Sequence, residues 1–77
     1  MKTFDTHDVD LSAAIMTATG VEPDMHPSGA LVSFSFPDDS TLQRIVFDFA
    51  AGRLILDVKR FANRRAWLFR KIKGVNR

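Results

Sequence analysis

Seventy-seven residues without a cysteine make one small domain that neither a disulfide nor a thiolate zinc site can staple, so packing has to hold it, with or without help from self-association. An apolar fraction of 45% with seven phenylalanines is ample for a core and argues against disorder. The net charge of +2 hides a lopsided chain: residues 1–40 hold one basic side chain against seven acidic, and residues 41–77 hold ten basic against two acidic. Such asymmetry fits an anionic partner, or two halves that attract within or between chains.

The first fifteen residues lack the basic start and apolar run of a secretory leader. No apolar run approaches the ~20 residues of a membrane-spanning helix. A cytoplasmic location and no membrane role are therefore expected.

In chain order, Lys2–Asp5 reads as a short edge strand with Phe4 turned inward. Thr6 is the expected N-cap of a helix over His7–Thr19, with Asp8 in its first turn and Gly20 as its stop. Leu11, Ala14, Ile15 and Ala18 fall at helical spacing and form a narrow face of small residues suited to close packing on a sheet. Val21–His26 is a second strand, placed at an edge by Pro23, and His26-Pro27-Ser28-Gly29 is turn chemistry. Ala30–Phe36 is the clearest strand, with Ala30, Val32, Phe34 and Phe36 on one side and Ser33 and Ser35 on the other.

Leu42, Ile45, Val46 and Phe49 fit a helical face framed by a capping cluster at Asp38, Asp39 and Ser40 and a stop at Gly52. A competing pattern exists, because Ile45, Phe47 and Phe49 also alternate and would make a hairpin with Arg53–Leu56. The caps favour the helix. Leu54–Leu56 then reads as a short strand entering a last helix capped by Asp57 and stopped by Gly74. The expected fold is α+β, a small, mostly antiparallel sheet packed against two or three helices in the order β-α-β-β-α-β-α.

That last segment carries eight of the eleven basic residues: Lys59, Arg60, Arg64, Arg65, Arg70, Lys71, Lys73 and Arg77. Val58, Phe61, Ala62, Leu68, Phe69 and Ile72 form the expected buried stripe. Arg65 falls within it, and its head should snorkel out or pair with an acid such as Asp48 or Asp10. Trp67 lies on the opposite side of the helical wheel, among Arg60, Asn63, Arg64, Arg70 and Lys71. Trp67 and these four cations are the candidate binding residues. Trp and Arg are the types enriched at the centres of protein interfaces, and the same mixture can stack on unpaired bases and hold phosphates.

Phe4, Thr6 and Asp8, followed by Leu11, Ala13, Ala14, Ile15 and Gly20, resemble the start of a family of short prokaryotic proteins, found in bacterial genomes and mobile elements and catalogued as a domain of unknown function. Val32, Phe34, Phe36 and Asp38 with Leu42, Val46, Phe49 and Gly52 extend the resemblance, as do Asp57, Phe61 and Leu68. It implies a fold and assigns no activity. Members tend to have last helices more balanced in charge than this one.

Nothing in the chain points to catalysis or to a cofactor. No serine or threonine sits in a nucleophile elbow, and the four isolated glycines form no phosphate loop. His7, Asp8, Asp10, Asp24 and His26 are metal-ligand types, but no recognised spacing joins them, and no metal is expected. The expected function is a binding or assembly domain, not an enzyme. It would associate with itself or another protein through the basic C-terminal helix, with nucleic-acid binding by the same face as the alternative.

Overall fold

The computed structural model describes residues 2–75. Strand β1 (Thr3–Thr6), helix α1 (Val9–Thr19), strands β2 (Asp24–Ser28) and β3 (Leu31–Pro37), and helices α2 (Ser40–Ala50) and α3 (Val58–Val75) follow in that order. The expected α+β class is what the chain adopts: one antiparallel sheet ordered β1-β3-β2, with β3 in the middle, and three helices.

Alternation along β3 decides the two faces of the sheet. Val32, Phe34 and Phe36 are buried, and cross-strand pairing sets Phe4 beside Phe36, and Thr6 and Met25 beside Phe34. The opposite face carries Asp5, Ser35 and Asp24 in one row and Ser33 with His26 in the next. Apolar residues thus line one side and polar residues the other, as expected for a sheet packed on one face.

Helix α1 lies at the centre of the helical layer, packed against both α2 and α3. Six successive residues, Leu11 to Met16, are buried, so every side of this helix is covered. Small side chains make that close approach achievable, and the buried Ser12 hydroxyl donates to the Asp8 carbonyl at 2.9 Å, leaving no polar cost. The cap of α1 is Asp8, whose Oδ1 accepts from the Leu11 N–H at 3.1 Å. Thr6, the expected cap, is held in β1 opposite Phe34, and its hydroxyl accepts instead from the Asp8 N–H.

Two further boundaries move for local reasons. The turn expected over His26–Gly29 contracts to Gly29-Ala30, because Ser28 already pairs with Leu31. Gly29 has φ +63 and stands first in this two-residue loop, the placement a type II′ hairpin demands. His26 and Pro27 therefore stay in β2, where an edge position tolerates the missing proline donor.

The second boundary concerns Leu54–Leu56, which forms no strand, and the element order is β-α-β-β-α-α. Arg53 is tied back to α2 by its N–H on the Asp48 carbonyl at 2.9 Å, and α3 is already capped at Asp57. The three residues between those anchors pair with none of the three strands. The alternative hairpin over residues 45–56 is absent, since Asp39 caps α2 through the Leu42 N–H at 2.8 Å and the segment is helical. Helix α3 continues through Gly74, the expected stop, to Val75; Arg77 lies outside the described residues.

Candidate functional site: an arginine-lined cleft between α1 and α3

The side of α3 that meets the core differs from the stripe the sequence suggests. Leu68 is fully buried and Phe61 and Ile72 are half-buried, while Val58, Ala62 and Phe69 are exposed. The buried line is narrower than expected and rolled by roughly 40–70°. The roll carries Trp67 inward. Expected opposite the core, it is half-buried and packs against the core cluster, with the Lys71 ammonium 5.3 Å from the centre of its ring.

This roll opens a cleft of about 690 Å³ between the C-terminal end of α1 and one side of α3. Arg60, Asn63, Arg64, Trp67 and Arg70 line it from α3, and Met16, Thr17 and Gly20 close it from α1. Four of the five expected binding residues are thereby brought together. Lys71 is not in the lining and sits over the indole. Asn63, expected on the same side of the helix, joins them, one turn from both Arg60 and Trp67. The α1 residues were not, because no local signal says which helix end faces α3.

No acidic side chain lines this cleft, and among the described residues none of Arg60, Arg64 or Arg70 forms an ion pair. The end of α1 supplies part of an answer to their charge. Its last turn has no basic residue of its own, and a helix C-terminus carries about half a negative elementary charge. Three guanidinium groups exceed that several-fold, so most of the positive charge remains unanswered within the cleft.

The acids of the chain are mostly engaged elsewhere. Asp8, Asp39 and Asp57 cap the three helices through the N–H groups of Leu11, Leu42 and Arg60. Asp10 pairs with Arg65 at 2.6 Å, as one of the two expected acids, and Asp48 lies near Arg44 and Arg53 at 3.8 and 4.0 Å. Asp5 accepts from the Ser35 hydroxyl at 2.6 Å, and Asp38 accepts from the Gln43 amide at 3.2 Å. The lopsided charge of the sequence thus resolves into acids used locally for caps and pairs, and a helix on which, among the described residues, only Arg65 forms an ion pair.

Among the described residues no three His, Asp or Glu side chains converge in a way that could hold a metal ion. His7, from the set considered above, uses Nδ1 on the Val32 carbonyl at 3.0 Å, and since a carbonyl only accepts, that nitrogen carries the proton. Within the same residues, no helix is long and apolar enough to cross a membrane.

Comparison with protein-family models, curated proteins and solved structures finds no match for this chain. The resemblance carried by Phe4, Thr6, Asp8 and the residues that follow them gains no support there.

Proposed function

We propose that this protein is a binding module that engages an acidic segment of a protein partner through the cleft between α1 and α3. One observation carries the reading: three arginines without carboxylate partners among the described residues converge with Trp67 in a cleft that no acidic side chain of those residues lines. A guanidinium offers a planar fork of donors that matches a carboxylate two-to-two, and an aromatic wall beside it supplies apolar area. Self-association through this same face is disfavoured. The acidic half of a second copy has most of its carboxylates committed to caps and pairs, and only Glu22 and Asp24 carry none of the bonds described above.

Nucleic-acid binding is the second reading. It is favoured by the run of exposed Lys59, Arg60, Arg64, Arg70, Lys71 and Lys73, with no acid from Val58 to Gly74. It ranks lower because Trp67 is half-buried and Lys71 covers its ring, which leaves the indole poorly placed to stack on a base.

Titration calorimetry with a poly-glutamate peptide and with a mixed single-stranded oligonucleotide, each at low and moderate salt, tests both. The proposal expects peptide binding that is lost on Arg64→Glu with Arg70→Glu. Oligonucleotide binding that falls steeply with salt, without peptide binding, would reverse the ranking, because phosphate contacts release counterions.

A further inference from the structure

The connection between α2 and α3 has a different character from the basic cleft. Ile55 is 93% exposed and Val58 81% exposed. Leu54, Leu56 and Val58 line an apolar hollow of about 260 Å³ with Phe49 and Phe61. A single exposed isoleucine is ordinary, but contiguous apolar side chains on a surface usually have a partner. The backbone here is also open. Among the described residues, no backbone or side-chain hydrogen bond involves the N–H or C=O of Leu54, Ile55 or Leu56. An apolar run with unpaired backbone groups is a template for strand addition.

The residues of this run say which strand fits. Read outward from Ile55, the sequence is Leu54 and Leu56, then Arg53 and Asp57. Antiparallel pairing of two identical copies about a two-fold axis at Ile55 sets Leu54 opposite Leu56, and Arg53 opposite Asp57, on both sides of the axis. In the register where the two Ile55 residues form the non-hydrogen-bonded pair, Leu54 and Leu56 exchange both backbone bonds with Leu56 and Leu54 of the other copy. Arg53, Ile55 and Asp57 then share one face, with two opposite-charge pairs flanking the central isoleucines. A parallel alignment would instead stack Arg53 on Arg53 and Asp57 on Asp57.

The flanking charges lie within reach of a partner. Arg53 is mostly exposed, and its contacts, Asp48 at 4.0 Å and the Phe47 ring at 5.3 Å, would be exchanged for the partner's carboxylate, while Asp57 uses only Oδ1 for its cap and keeps Oδ2 for a partner.

We infer that this protein forms a two-fold symmetric homodimer in which the Arg53–Asp57 segments of two copies pair as an antiparallel ribbon centred on Ile55. A two-fold contact requires one patch to be complementary to itself, and the arrangement Arg-Leu-Ile-Leu-Asp has that property. The interface lies outside the arginine-lined cleft and stands whether or not that cleft binds an acidic partner.

Sedimentation equilibrium over a concentration series tests the dimer, with Ile55→Lys and Ile55→Cys as variants. The wild-type mass should rise from one chain toward two. Ile55→Lys should remain a monomer, because two like charges meet on the axis; its helical circular dichroism should be unchanged, since the side chain touches little. Ile55→Cys should cross-link to a covalent dimer on mild oxidation, because the non-hydrogen-bonded position brings the two Cα atoms within disulfide range. The variant with Arg64→Glu and Arg70→Glu should dimerise like the wild type, which separates this contact from the cleft. A wild-type protein that stays one chain at its highest soluble concentration overturns the inference, and so does an Ile55→Lys variant that dimerises as well as the wild type.

Discussion

The Arg65 Nε lies 2.6 Å from the Asp10 Oδ1, joining the middle of α3 to the first turn of α1 across fifty-five positions of sequence. The pair is half-exposed on both sides, 47% and 54%, so it fixes how the helices meet more than it stabilises them. Asp10→Ala should lower stability by about 0.5 kcal/mol, the scale of an exposed ion pair with a small contribution from the helix dipole. Arg65→Ala should cost more, because the guanidinium also lies 4.9 Å from the centre of the Phe69 ring. Urea unfolding of the two variants and of the double variant measures the coupling, which should shrink with added salt.

The roll of α3 makes a sharper prediction. Leu68 is completely buried, so Leu68→Ala should cost about 2–5 kcal/mol. A chain of this length has roughly 4–12 kcal/mol in all, and such a variant would sit near the edge of folding. Val58→Ser, at a position the helical pattern alone counts as core, should change stability by less than about 0.5 kcal/mol. Equal costs at the two positions would mean that α3 packs on the stripe read from the sequence.

What was legible followed from signals that act locally. Alternation over Val32, Phe34 and Phe36 identified the central strand, the Gly20 stop bounded α1 although its cap is Asp8 and not Thr6, and the capping cluster with Gly52 framed α2. Even the competing hairpin over residues 45–56 yields to Asp39, because a capped first turn makes helix the cheaper local choice. The cluster Arg60, Arg64, Trp67 and Arg70 was visible as one side of a helix. The cleft itself was not, since it depends on where α1 ends relative to α3 and on a partial rotation of α3. Periodicity cannot fix that rotation where Val58, Ala62 and Phe69 widen the apolar stripe beyond what the core has room to cover. The missing strand has the same origin: Leu54–Leu56 has strand composition, but its anchors at Arg53 and Asp57 leave it away from the sheet.

Three aspartates perform one task, and replacing them separates charge from structure. Asp8, Asp39 and Asp57 each accept from a first-turn N–H at 3.1, 2.8 and 2.9 Å. Each substitution by alanine should cost about 1 kcal/mol, and each by asparagine only a few tenths, since asparagine caps nearly as well. The asparagine variants also remove acidic charge from the surface while keeping the fold. Thermal unfolding gives the stabilities. If Asp39→Asn were as damaging as Asp39→Ala, the carboxylate would have a role beyond its cap.

Trp67 is the only tryptophan and it lines the cleft, so its fluorescence reports on that site alone. In the free protein the half-buried indole under Lys71 should emit at a wavelength between those of exposed and fully buried tryptophan. Adding poly-glutamate should shift or quench that emission along a saturable curve as the carboxylates bind the cleft arginines. Arg64→Glu with Arg70→Glu should raise the midpoint more than tenfold, since two charge-assisted contacts of about 1.5–3 kcal/mol each are replaced by repulsion. Arg44→Glu, a charge change of the same sign on exposed α2, should leave the midpoint within about threefold at moderate salt, where charges more than about 8–10 Å apart are screened. A free-energy loss in Arg44→Glu half that of the double variant, in proportion to its half-sized charge change, would mean that the peptide responds only to net charge, and the cleft would then be ordinary basic surface.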